Sequence, residues 1–141
     1  MSSRKKTSTI IISVIIVAGI ALSITEQPSE KDSEILAEIK FDAVYLENDN
    51  TVQISFEDKS NNTRSVVLEI LGMDVTYHEE YIFNDKSQFI EKMYLEKIPK
   101  YGWKTTPVTL EIHHSKFGHF GLKTEIHTPD QTKPKIIIEG K

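Results

Sequence analysis

The sequence predicts a mainly β protein, one antiparallel sandwich of about seven strands carried behind a single N-terminal transmembrane helix. Three observations lead there. An uncharged apolar run covers residues 7–25, directly behind the basic cluster Arg4, Lys5 and Lys6. After it, short apolar stretches alternate with polar residues at a period of two, the mark of half-buried strands. Clusters of Asn, Asp, Gly and Pro interrupt those stretches every ~8–12 residues, the spacing of an all-β domain.

As a helix rising ~1.5 Å per residue, the run at 7–25 is about 28 Å long, close to the ~30 Å thickness of bilayer hydrocarbon. Ile10, Ile11, Ile12, Val14, Ile15, Ile16 and Val17 would face lipid. Thr9, Ser13 and Ser23 can return their hydroxyls to the helix's own carbonyls. The cations at 1–6 hold the N-terminus in the cytoplasm, so the remainder is expected outside the membrane. A cleaved signal peptide is the alternative, with Gly19 and Ala21, or Ala21 and Ser23, as the small pair before the cut. The length of the run favours a retained signal-anchor.

The polar stretch 26–34 reads as a spacer and residues 35–141 as one extracytoplasmic domain, a usual domain size. With Arg4, Lys5 and Lys6 set aside, 14 basic side chains face 21 acidic ones, a net charge near −7. Such a domain repels phosphate backbones, and its lysines are interspersed with glutamates, so no nucleic-acid partner is expected. The chain has no cysteine. This removes thiolate catalysis, cysteine-ligated zinc, iron–sulfur clusters and disulfide bracing.

In chain order, Ile35, Ala37, Ile39, Phe41, Ala43 and Tyr45 share one parity and predict a first strand, beginning at Ile35 or nearer Glu38. The turn Glu47-Asn48-Asp49-Asn50 leads to a hairpin partner carrying Val52, Ile54 and Phe56. Residues 58–64 form a polar loop, in which Asn61-Asn62-Thr63 fits the N-x-T glycosylation pattern at Asn61. Ser65–Leu71 is a β-branched central strand broken by Gly72, and residues 74–84 form the next. Residues 87–98 suit either a strand or a short helix, and flanking strands favour the strand. Pro99–Trp103 is a turn. The hairpin at 108–127 is expected to turn at Lys116–Gly121, pairing Ile112 with Ile126 inside, and His113 with Glu125 and Glu111 with His127 outside. Lys135–Glu139 is a terminal strand entered through Pro134.

The strand count and spacing resemble a sandwich of immunoglobulin or fibronectin-III type, in architecture only, since the cysteine pair of immunoglobulin domains is missing. No GxSxG, HExxH or glycine-rich phosphate loop is present. The expectation is therefore a non-enzymatic interaction or envelope-structural module, tethered to a membrane by its N-terminal helix, with a surface or envelope protein as partner and no cofactor. The alternative is an exported Cu or Zn module. His113, His114, His119 and His127 crowd one hairpin, and His113 and His127 with Glu111 and Glu125 are the proposed ligands, imidazole and carboxylate suiting either ion.

Overall fold

The computed structural model describes residues 27–74 and 76–140. The expected anchor at 7–25 lies outside the described residues, as does the basic cluster before it. Among the described residues no helix is long and apolar enough to cross a membrane.

The fold begins with a helix, α1 (Glu30–Glu38), which takes up part of the expected spacer and the start of the expected first strand. Ile35 and Ile39 are four apart, so the pair satisfies a helical face as well as it satisfies alternation. Ala37, of the same parity, is exposed, whereas Ile35 is buried. Acidic residues crowd the N-terminal turn, where the helix dipole favours them.

Eight antiparallel strands follow: β1 (Ile39–Leu46), β2 (Thr51–Asp58), β3 (Thr63–Ile70), β4 (Tyr77–Ile82), β5 (Gln88–Tyr94), β6 (Pro107–His114), β7 (Gly118–Glu125) and β8 (Ile137–Glu139). They form two sheets, β1-β2-β5 and β4-β3-β6-β7-β8. The ambiguous stretch at 87–98 is a strand over its first half, paired along β2 from Glu57↔Gln88 to Thr51↔Tyr94.

Alternation gives each sheet one apolar face, and these faces make the core. Phe41, Ala43, Tyr45, Val52, Ile54 and Phe56 from the smaller sheet are buried, as are Val66, Leu68, Ile70, Val108, Leu110, Ile112, Phe120 and Leu122 from the larger. At about 1.5–3 kcal/mol for each large side chain removed from water, this layer is the main stabilising term in a chain without disulfides.

Side-chain and backbone contacts also join the two sheets at their edges. After β7 the chain crosses to β1, where a parallel bridge joins Val44 to His127. Tyr45 N–H donates to the His127 carbonyl at 2.8 Å, and His127 N–H donates to the Ala43 carbonyl at 3.1 Å. Between β4 and β5, the Tyr81 and Phe89 rings stack at 3.9 Å. The Tyr81 hydroxyl donates to Glu91 Oε2 at 2.5 Å. Burial, then this carboxylate, push the Tyr81 phenol well above its ordinary pKa. At the end remote from α1, Gly72 adopts φ +78°, and a Cβ there would sit 2.0 Å from the Thr105 carbonyl oxygen. No other residue fits that approach.

The β6–β7 hairpin differs from the expected register. His114 pairs with Gly118 around a three-residue loop, so Ile112 faces Phe120 and His113 faces His119. Gly118 supplies the left-handed conformation, φ +80°, that closes such a loop. The expected register treated Phe117 and Phe120 as loop residues. Burying both requires the shorter turn, and their exposures fall to 8% and 3%.

Candidate functional site

The register determines where the expected metal ligands go. Glu111 faces Gly121, Glu125 faces Pro107, and His113 faces His119. His127 leaves the hairpin and is buried against β1, its Nε2 lying 2.8 Å from Asp42 Oδ1 and its Nδ1 2.9 Å from the Thr128 carbonyl. Lys133 also reaches Asp42, at 3.6 Å. The four residues are thus not gathered into one cluster, and His127 serves the junction between the sheets. Asn61 is exposed at φ +55°, while its side-chain oxygen accepts the Ser87 N–H at 3.1 Å. Thr63 of the same tripeptide is buried.

The densest polar cluster centres on Asp58, at the end of β2. Its Oδ1 accepts the Ser60 N–H at 2.9 Å and the Ser60 hydroxyl at 2.7 Å. Its Oδ2 accepts the N–H of Asn62 at 3.0 Å, and the N–H and hydroxyl of Thr63, each at 2.8 Å. His114 Nε2 lies 3.2 Å from the same oxygen, with both side chains wholly buried. The sequence Asp58-Lys-Ser-Asn-Asn-Thr63 builds this locally, since an aspartate readily caps the backbone of the residues that follow it. That pattern was present in the expected polar loop and marks Asp58 as its organiser.

Glu38, Asp58 and His114 bring three possible ligand atoms within 4.8 Å of one another. Hydrogen bonding decides how they are used. His114 Nδ1 accepts the backbone N–H groups of Lys116 and Phe117, both at 3.1 Å. A nitrogen that accepts is unprotonated, so the neutral ring carries its proton on Nε2 and donates it to Asp58. Neither nitrogen then has a lone pair free for a cation or a substrate proton. Burial pushes the His114 pKa below its ordinary value, against the opposing pull of Asp58 and Glu38. Burial alone would raise Asp58, but the donors from Ser60 and Thr63 outweigh it and hold the carboxyl below the usual range. A neutral imidazole against an ionised carboxylate, both saturated with donors, is the arrangement of a structural lock.

The lock ties four segments together. Lys59 N–H donates to the Glu38 carbonyl of α1, Asp58 N–H to the Ser87 carbonyl before β5, and Ser115 N–H to the Asn62 carbonyl. Lys116 reaches Glu34 at 3.2 Å and Glu38 at 3.5 Å.

A different chemistry lies on the outer face of the larger sheet. His113 and His119 stand opposite one another across β6 and β7, both exposed, with ring centroids 4.4 Å apart. Beside them a cavity of about 230 Å³ opens over Gly121, its walls including Glu111, His119 and Glu139.

Other apolar groups are left in solvent along one stretch of chain. Ile90 and Tyr94 project from β5, which among the described residues pairs only with β2, and are 68% and 67% exposed. Ile98 and Tyr101 continue the series in the loop that follows, 56% and 76% exposed.

No protein-family model matches this chain, and no curated protein matches it either.

Proposed function

We propose that this chain is a membrane-tethered extracytoplasmic sandwich of immunoglobulin or fibronectin-III type, acting without catalysis as an interaction or envelope-structural module. The fold type is supported by strand order. The first, second and fifth strands make one sheet, and the fourth, third, sixth and seventh run in that order through the other, the distribution of a Greek-key sandwich. The tether rests on residues 7–25 and the preceding cations, as read from the sequence.

The observation that carries the interaction reading is the open edge of β5. Edge strands offer unpaired backbone groups to an added strand, and natural proteins usually blunt them. Here the edge retains Ile90 and Tyr94 on its outer face, with Lys92 between them. Residues 90–104 carry Lys92, Lys97, Lys100 and Lys104 against Glu91 and Glu96, and Glu91 is turned to Tyr81. On an acidic chain this is a locally basic, apolar border. It suits an extended segment of an envelope protein bearing apolar and acidic side chains.

Photo-crosslinking residues placed at Ile90 and Tyr94 of the full chain, in its own membrane, test this reading. Adducts to one partner from both positions, and none from Thr109 on the opposite sheet, are expected. Equal labelling from all three positions, or no adduct from the β5 positions, removes the support for it.

A further inference from the structure

The outer face of the larger sheet points to a transition-metal site that is independent of the β5 edge and differs from the ligand set read in the sequence. We propose that His113 and His119 chelate one divalent ion of the Zn²⁺ or Cu²⁺ class, with Glu111 as the carboxylate ligand.

The pair is placed for it by the hairpin. Directly opposed residues of an antiparallel pair have Cβ atoms about 4.5–5.5 Å apart, on one face. Two imidazoles there can each turn one nitrogen toward a common ion at ~2.0–2.1 Å by side-chain rotation alone. Their rings already lie 4.4 Å apart at 25° to one another. Both are exposed, and no hydrogen bond or ion pair holds either ring among the described residues, in contrast to His78, His114 and His127. His78 is bound to Glu69 at 2.9 Å, and the other two are held as described above. His113 and His119 are therefore the imidazoles that a cation can take without breaking a hydrogen bond or an ion pair, at the cost of turning the two rings out of their mutual stack.

Glu111 shares the outward parity of His113 and lies diagonal to His119. Alternate residues of a strand are about 6–7 Å apart, within reach of a glutamate side chain. Opposite Glu111 stands Gly121, whose missing side chain opens the cavity beside His119. Glycine weakens a strand interior and there often marks a close approach of ligand or backbone. At Gly121 an added Cβ would make only ordinary contacts, 3.5 Å to Glu139 Cβ and 3.7 Å to the Leu110 carbonyl oxygen. Contacts at Cβ do not demand the glycine, and its missing side chain keeps the space beside His119 open. Glu139 borders the same cavity but is drawn to Lys123 at 3.9 Å, which leaves Glu111 as the carboxylate for the ion.

Calorimetric titration of Zn²⁺ and of Cu²⁺ into the full chain in detergent tests the assignment, with His113→Ala, His119→Ala, Gly121→Val and the control His78→Ala. The three histidines are exposed and Gly121 is half-buried on the outer face, and circular dichroism checks that each variant is folded. One ion per chain with micromolar affinity is expected, unchanged in His78→Ala. Removing even a group that only orients a metal ligand costs about 10–100-fold, so either histidine variant should weaken binding by at least about tenfold. Gly121→Val should weaken it as well, by filling the space beside Glu111. For Cu²⁺, electron paramagnetic resonance should show coupling to two nitrogens, and to one in either histidine variant. Binding no tighter than millimolar, or binding that survives in His113→Ala and His119→Ala, overturns the site. Undiminished binding in Gly121→Val overturns the placement of the ion beside Glu111.

Discussion

His114 donates through Nε2 to Asp58 Oδ2 at 3.2 Å, and water reaches neither side chain. The pair couples the end of β2 to the β6–β7 turn across the end of the sandwich that carries α1. Removing the carboxylate should be costly, because six donors converge on it and those of Thr63 and His114 would be left buried without an acceptor. Asp58→Ala is expected to lower unfolding free energy by about 2–3 kcal/mol, the upper part of the range for leaving buried donors without an acceptor. Urea titration measures it; a loss below about 1 kcal/mol would mean that water or a rearranged loop replaces the carboxylate.

The same pair makes stability depend on pH in a defined direction. The His114 pKa is lowered in the folded chain, chiefly by burial, with Asp58 and Glu38 opposing the shift and Lys116 adding to it. The unfolded chain therefore binds its proton first as pH falls through about 6.5. In that window the unfolded state holds more protons, so stability decreases with falling pH, by at most about 1.4 kcal/mol per pH unit for one site. Asp58, also lowered, adds a second loss of the same sign below about 4. Urea titrations with a chelator present should show unfolding free energy declining from pH 7 to pH 5. A flat or rising profile would contradict the neutral assignment of His114.

The strands were readable because one face of each is buried, so period-two alternation survives in β1, β2, β6 and β7. The three-residue turn at Ser115–Phe117 was not, because Lys116-Phe117-Gly118-His119-Phe120-Gly121 looks like loop until the cost of exposing two phenylalanines is counted. Moving that turn by a few residues re-pairs every outward side chain and exchanges Glu125 for His119 as the neighbour of His113. The start of β1 was readable only as Ile35 or nearer Glu38, since Ile35 and Ile39 fit two periodicities equally well, and the strand begins at Ile39. Asp58 was missed because its partners come from five residues of local turn and from His114, more than fifty positions away, which no periodicity reports.

Thr106 tests polar satisfaction in the opposite sense. It is fully buried just before β6, its N–H donates to the Trp103 carbonyl at 3.0 Å, and its hydroxyl has no partner among the described residues. A buried hydroxyl without a partner costs about 1–3 kcal/mol by mutational measures. Thr106→Val keeps the shape and removes that group, so thermal unfolding should move upward, by roughly 1 kcal/mol of stability. A substantial loss instead would show that an ordered water satisfies the hydroxyl.

His127 and Asp42 make the final test, at the crossing between the sheets. The imidazole is held at both nitrogens, 2.8 Å from Asp42 Oδ1 and 2.9 Å from the Thr128 carbonyl. Its orientation fixes the backbone that exchanges hydrogen bonds with Ala43 and Tyr45. Asp42→Ala removes the carboxylate shared by His127 and Lys133 while leaving every core side chain in place. Global stability should fall modestly, by about 1–2 kcal/mol for the lost charge-assisted bond. Local opening should rise more visibly, because this bridge is short and flanked by irregular chain. Hydrogen exchange is therefore expected to accelerate selectively at the amides of Tyr45 and His127, with those of Val66 and Leu110 following only the global change. Uniform acceleration at all four amides would mean that the crossing unfolds with the core instead of opening ahead of it.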